Sequence, residues 1–241
     1  PLNLNPAMTG VMNCKTRFVA NYRNQWASVL KANAYNTYSA SYDQKVPVGR
    51  EDYFGIGGSL WGAVAGESRF GTTQGRLSLS YSKKMAGYRK KSSYLVIGVD
   101  GGMTQRRISD KDLRWPSQIT TNGFDPQLLP NEAGFTDFDF LFADLGAGLL
   151  WFSVIDKNTN YYLGAALHHL NQPDVSFLGS VESLYTKVTL HGGAQFEIQP
   201  KISLLPYIIY MAQGQHRELN GGASVRFALG PSRLSNQSWQ L

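Results

Sequence analysis

The chain has 241 residues, of which 42% are hydrophobic and 12% aromatic, and it carries a formal net charge of +6 at pH 7. Its longest apolar stretches, residues 145–155 and 202–212, are about half the roughly 20 residues of a membrane-spanning helix, so no segment predicts a transmembrane helix. The single cysteine, Cys14, excludes a disulfide within the chain. No linker divides the sequence, which predicts one domain over residues 1–241.

Alternating apolar and polar residues predict β-strands along most of the chain. In residues 184–198 one face carries Leu, Val, Phe and Ile side chains, and the other carries Lys, Thr, His, Gln and Glu. This period of two is the one that a strand imposes. About ten strands are expected, near residues 15–26, 34–43, 53–64, 72–83, 93–106, 140–155, 160–170, 184–198, 202–212 and 218–229.

These strands are long, and each has one face suited to lipid and one suited to water. Soluble proteins usually have strands of about five or six residues, whereas a tilted membrane strand has about ten. We therefore predict an all-β fold, an antiparallel transmembrane β-barrel of the outer-membrane type. Residues 238–241 resemble the start of another strand, so we expect an incomplete barrel that lacks its C-terminal strands. The alternative is that ten strands close on themselves and the tail forms a cap.

The first predicted strand places aromatic and charged side chains on opposite faces. Tyr22 and Trp26 fall on the apolar face, so Trp26 is expected in an aromatic girdle at the far membrane interface. Arg23 and Gln25 then point inward. An inward arginine usually pairs with a carboxylate, and the candidates here are Asp43 and Asp100.

The connection over residues 107–139 is the longest loop of the chain. It contains several aromatic and proline residues, including Trp115 and Phe124 next to Asp125. If the N-terminus is periplasmic, this loop faces the cell exterior, and the short turns face the periplasm. A loop of this length is usually functional, so we predict that it caps the outer mouth or plugs the lumen.

A basic cluster lies within residues 83–91, and Tyr88 is the one aromatic residue among its cations. A surface that binds nucleic acid would interleave cations with stacking aromatics, so we expect no nucleic-acid partner. A basic hairpin loop that contacts anionic outer-membrane lipid or a protein partner is favoured.

Three segments resemble a known family in their order and spacing: NPAMTG at residues 5–10, YRNQW at 22–26 and HHLNQPD at 168–174. They are similar to segments of PorP/SprF proteins, and the glycine-rich strand at 53–64 and the loop around Phe124 and Asp125 also fit. The positions that match the family motifs, and are expected to make structural or partner contacts, are Asn5, Pro6, Tyr22, Arg23, Gln25, Trp26, His169, Asn171 and Pro173.

The resemblance implies a component of the type IX secretion and gliding apparatus in the bacterial outer membrane. Its implied partners are a secreted adhesin or the C-terminal domain of another cargo protein, and a periplasmic lipoprotein or peptidoglycan-binding protein. It implies no catalysis and no cofactor. The departure from the family is the apparent truncation of the barrel.

The motif residues also have interpretations that do not depend on the family. Asn5 and Pro6 favour an extended lead-in to the first strand. His169, with Asn171 and Pro173, predicts a strand end and turn, or a contact point at the outer rim. Adjacent histidines on a strand point to opposite faces. At most one of His168 and His169 could therefore join His191 in the lumen, which argues against a metal site.

The sequence leaves three function classes open. Motifs of the common hydrolases, nucleotide-binding proteins and zinc proteases are missing from the sequence. We therefore predict a non-enzymatic protein, and the family resemblance implies that it binds or anchors secreted surface proteins. The alternatives are an outer-membrane channel or hydrophobic-solute transporter, and a soluble β-protein that binds carbohydrate.

Overall fold

The computed structural model describes residues 1–66, 69–88, 91–108, 116–121, 123–125, 127–128, 139–156, 158–177 and 181–227. Ten antiparallel strands form one sheet in which every strand pairs with its neighbours along the chain. They are β1 (Thr16–Gln25), β2 (Tyr35–Val48), β3 (Asp52–Ala65), β4 (Phe70–Tyr88), β5 (Lys91–Arg107), β8 (Asp139–Val154), β9 (Asn160–His168), β10 (Lys187–Gln199), β11 (Ile202–Gln213) and β12 (His216–Phe227). Two short strands, β6 (Ile119–Thr120) and β7 (Gly123–Phe124), form a separate hairpin between β5 and β8.

The predicted all-β fold with ten visible strands is confirmed, although several strand ends differ from the expectation. β2 continues to Val48 and β4 to Tyr88, because Val48 still pairs with Asp52 and Tyr88 still pairs with Lys91. β10 begins at Lys187 rather than residue 184. The backbone before it bonds elsewhere, since Leu184 N–H donates to the Pro173 carbonyl at 2.9 Å.

The sheet is curled but not closed. Within the described ranges β1 pairs only with β2, and β12 pairs only with β11, so these two strands form its edges. The alternative in which ten strands close on themselves is therefore wrong for the described part of the chain. The architecture is that of an incomplete antiparallel barrel.

The two faces of the sheet have opposite chemistry, as the alternation predicted. On the outer face Leu77 is 75% exposed and Leu163 is 64% exposed. On the inner face Ser78, Ser80 and Asp100 are buried. The apolar side chains therefore point away from the enclosed space, which is the arrangement of a lipid-facing wall.

In the described part of the chain, short helical segments lie in the N-terminal segment and in connections between strands. α1 (Ala27–Leu30) and a 3-10 turn (Lys31–Asn33) join β1 to β2. Further 3-10 turns cover Pro6–Met8 and Pro116–Gln118. None of the helices in the described ranges is long and apolar enough to cross a membrane.

The long connection between β5 and β8 is described only in part. Its β6–β7 hairpin contains Phe124, and the Asp125 N–H donates to the Gln118 carbonyl at 2.9 Å. Trp115 lies outside the described residues. The expectation that this loop caps or plugs the barrel stays a prediction.

Candidate functional site

The N-terminal segment, residues 1–11, lies against the inner face of the curled sheet. Asn5, Ala7 and Thr9 are completely buried there. The segment contacts strands from β3 to β10, so one short stretch of chain crosses most of the wall. It is the main feature of the enclosed space that the structure describes.

Asn5 anchors the segment to three strands. Its Nδ2 donates to the carbonyl of Leu149 on β8 at 3.1 Å and to that of Ala165 on β9 at 3.2 Å. The same nitrogen lies 2.9 Å from Nε2 of His191 on β10. Its Oδ1 accepts the Ala7 N–H at 2.8 Å. The expected strand lead-in is wrong: Asn5 is extended, but it lies inside the barrel, eleven positions before β1 begins at Thr16.

Thr9 and Gly10 attach the other end of the segment. Thr9 Oγ1 donates to Ser78 Oγ at 3.0 Å, and Ser80 Oγ donates to the Thr9 carbonyl at 2.6 Å. The Gly10 N–H donates to Asp43 Oδ2 at 2.8 Å. Buried polar groups are stable only when they are bonded. These contacts therefore give the polar inner face its partners.

Glycines on the inner face create the space for the segment. We call Gly55, Gly98, Gly148 and Gly164 the glycine track; they lie on β3, β5, β8 and β9. A Cβ at Gly98 would overlap the Ala7 backbone, and one at Gly148 would overlap the Asn5 side chain. Close approach of two backbones requires glycine, so the track is fitted to the segment.

A buried ion cluster lies beside the segment. Arg76 on β4 pairs with Asp100 on β5 at 2.8 Å and also with Asp144 on β8. His169 Nδ1 lies 2.9 Å from Asp144 Oδ2. His168 Nε2 lies 3.3 Å from the Leu4 carbonyl, which links the cluster to the N-terminal segment. We call Arg76, Asp100, Asp144, His168 and His169 the ion cluster.

Arg17 forms a second charged link to the segment. Its Nε and Nη2 donate to the two carboxylate oxygens of Asp43 at 2.9 and 2.7 Å, a bidentate pair. Nη2 also donates to the Met8 carbonyl at 3.0 Å. Asp43 and Asp100 are therefore paired with Arg17 and Arg76, and the expected pairing of Arg23 with either of them is wrong.

The deduction that His168 and His169 point to opposite faces is also wrong. β9 ends at His168, and His169 has a φ of 60°, in the left-handed region. That conformation turns the second histidine back toward Asp144, so both rings contact the ion cluster. Within the described ranges, however, no group of three or more His, Cys, Asp or Glu side chains is arranged to hold a metal ion.

The YRNQW residues lie at the end of β1. Tyr22 is 69% exposed on the outer face, and its hydroxyl donates to Asn36 Oδ1 at 2.8 Å. Trp26 is exposed immediately after the strand and packs edge-on against Tyr35 at 5.5 Å between ring centroids. Arg23 is exposed and Gln25 is half-buried.

Asn171 and Pro173 occupy a turn that is bonded to β8. Asn171 Oδ1 accepts the Leu145 N–H at 3.1 Å, and its Nδ2 donates to the Ala143 carbonyl at 2.7 Å. The side-chain amide thus continues the strand pairing after β9 has ended. Its role in this structure is the strand end and turn that the sequence suggested.

Aromatic rings fill the inner space above and below the segment. Toward the end where β5 meets the long loop, Phe177 packs against Phe140 at 4.7 Å and Phe70 at 6.1 Å between centroids. Toward the opposite end, Tyr94 stacks on Phe152 at 4.9 Å. The inner face around the N-terminal segment is therefore covered by aromatic, ionic and backbone layers.

The comparisons with known proteins agree with the sequence resemblance. The family model described as type IX secretion system membrane protein PorP/SprF matches residues 1–235. No curated protein and no solved structure matches the chain. With the apolar outer wall described above, this match shows that the chain belongs to the PorP/SprF family and is an outer-membrane component of the type IX secretion system.

Proposed function

We propose that this protein is a non-catalytic anchor that binds secreted surface proteins, adhesins in particular, as they leave the secretion system. The observation that carries the proposal is the N-terminal segment, which occupies the inner face from β3 to β10. A barrel whose interior is bonded to its own chain is better suited to holding a partner at its rim than to passing solutes.

The ion cluster supports the same proposal. Arg76, Asp100 and Asp144 are almost fully buried, and they form ion pairs with one another. Breaking a buried ion pair is costly, so these side chains are poor candidates for binding a passing substrate. The partner surface is then expected at the ends of the barrel.

The candidate contact surface is the rim where the two long loops emerge. One loop follows β5 and contains Phe124, which is exposed, and Asp125, which is half-buried. The other follows β9 and contains Pro173. We place the cargo C-terminal domain on this rim and a periplasmic lipoprotein or peptidoglycan-binding protein at the opposite end, with residues 1–241 as one barrel domain in outer-membrane lipid.

The experiment that tests cargo binding is affinity purification of the full-length tagged protein from outer membranes in mild detergent, followed by mass spectrometry. A second strain replaces residues 108–138 with a Gly/Ser linker of equal length, so the loop sequence changes while its length is kept. We expect wild type to recover a secreted adhesin and the linker strain to recover much less. Equal recovery in both strains would contradict the proposed loop contact, and recovery of no secreted protein would contradict anchoring itself.

Conductance in planar bilayers separates an anchor from a channel. The wild-type protein should conduct little, whereas Gly98→Leu should conduct more because its side chain would displace the segment at Ala7. Gly221→Leu is the matched control, since a Cβ there meets only the Tyr207 carbonyl at 3.7 Å. Large wild-type conductance would favour the channel instead.

A further inference from the structure

A polar pocket lies on the outer face of the wall, outside the enclosed space. It is formed where β2 and β4 begin and β3 and β5 end. Its volume is about 240 Å³. The polar side chains and the glycine that line it are Tyr38, Arg69, Gly71, Thr73, Gln105 and Arg107.

Strand register places these residues in two adjacent rows. Tyr38, Thr73 and Gln105 belong to the row that runs through Gly62. A Cβ at Gly62 would overlap the Tyr38 ring, so the ring lies across this glycine. The next row contains Gly71 paired with Arg107, and Arg69 stands in the adjoining turn. The pocket is therefore built by the wall itself.

The pocket lies at the border between the apolar band and the polar rim. Toward the middle of the wall, the next row of outward-facing residues contains Leu60, which is 63% exposed, and Met103, which is 48% exposed. Tyr22 is the register partner of Tyr38 and is also exposed. Tyrosines gather at the level of lipid head groups, so the pocket lies at that depth.

The pocket carries two guanidinium groups, those of Arg69 and Arg107. Neither Arg69 nor Arg107 forms an ion pair with any residue of the described ranges. The carboxylate nearest to them in register, that of Asp139, is held by Gln105 Nε2 at 2.9 and 2.8 Å. Among the described residues, two cations therefore lie beside one engaged carboxylate, an excess of positive charge.

We propose that this pocket binds the phosphate group of an outer-membrane lipid, with Arg69 and Arg107 as its charged donors. Arginine matches the oxygens of phosphate with a rigid fork of donors. The Tyr38 and Thr73 hydroxyls add neutral donors at the same level. The lipid acyl chains would then lie along the exposed apolar row below.

The test is native mass spectrometry of the full-length protein, purified in detergent and titrated with a phosphorylated glycolipid. Arg69→Ala/Arg107→Ala should bind the glycolipid at least about tenfold more weakly, the factor for losing roughly one charge-assisted hydrogen bond. Arg50→Ala/Lys201→Ala is the control, because it removes two exposed cations from turns at the opposite end. Unchanged affinity in the double pocket variant would overturn the proposal.

A second variant guards against misfolding. Gly71→Leu keeps both arginines and fills the pocket; a Cβ there meets Arg107 Cγ at an ordinary 3.7 Å, and leucine suits a lipid-facing strand. It should also lose the glycolipid. If it binds like wild type, the pocket is not the site.

Two further probes identify the source of the phosphate. A dephosphorylated glycolipid should bind the wild-type protein as weakly as the phosphorylated one binds the double variant. Inorganic phosphate at millimolar concentration should compete only slightly, since it lacks the acyl chains. Full competition by inorganic phosphate, or equal binding of the dephosphorylated lipid, would overturn a lipid-phosphate site.

Discussion

The inner face of β5 and β8 and the inner face of β12 share one alternating pattern but differ in burial. Asp100 on β5 and Asp144 on β8 are buried. Glu218 and Asn220 on β12 are exposed and bond to each other at 2.7 Å. The N-terminal segment and the ion cluster cover the first region, and no described residue covers the second. Burial inside this wall therefore comes from what fills it.

The glycines of the two regions show the same difference. In the covered region, a Cβ at Gly98 or Gly148 would meet the N-terminal segment. On β12, a Cβ at Gly222 would meet the Tyr207 ring of the neighbouring strand, at 2.8 Å from its Cζ. Glycine thus admits a separate segment in one region and a side chain of the wall in the other.

Removing the central arginine of the covered region should have the largest effect. Arg76→Leu removes the cation that the buried Asp100 and Asp144 carboxylates share, and breaking a buried ion pair costs about 3–5 kcal/mol of unfolding free energy. Equilibrium urea unfolding in phospholipid vesicles measures it. The exposed pair of Lys84 and Glu51, 2.6 Å apart, is the control, and Glu51→Gln should change little. Similar losses in both variants would contradict the difference in burial.

A smaller loss is expected at the anchor of the N-terminal segment. Asn5→Ala leaves two strand carbonyls and the His191 ring without this partner. Unsatisfied buried groups cost about 1–3 kcal/mol, and the segment should become accessible to protease. Asn21→Ala on β1 is the control, because its bond to Ser39 is exposed and 3.4 Å long. A segment that stays protected in Asn5→Ala would show that the glycine track alone holds it.

The wall could be predicted from the sequence because its signal is local. Residues such as Leu77 and Ser78 alternate in the chain itself, and the strand period converts this order into two faces. The open edge at β12 agrees with the expected incompleteness.

The N-terminal site could not be predicted, because its contacts join distant parts of the chain. Asn5 and His191 are 186 positions apart, and local pattern does not report such pairs. One usable signal was present: Gly55, Gly98, Gly148 and Gly164 all fall on the inward positions of their strands. The pairing of Arg23 was mispredicted since alternation shows the face of a side chain but not which carboxylate it reaches.

The smallest effect on stability is expected in the loop that follows β9. This loop places Phe177 over the region that the N-terminal segment covers. Backbone N–H groups of Glu182 and Ser176 donate to Asp174 Oδ1 at 2.9 and 3.1 Å, and they hold the pKa of this carboxyl below its ordinary value. A lowered pKa means that the ionised form stabilises the loop above the ordinary value of about 3.9. That contribution is lost as the pH falls through the lowered pKa.

Tryptophan fluorescence of a Phe177→Trp reporter, titrated from neutral to acidic pH, measures this loss. As Asp174 is protonated, the emission should change in the Phe177→Trp protein and not in the wild-type protein. The same reporter with Asp174→Asn should give a flat titration over that range, because the amide does not ionise. A transition with the same midpoint in both proteins would assign the change to another group, and the loop would then depend on its aromatic packing against Phe70 and Phe140 rather than on the Asp174 carboxylate.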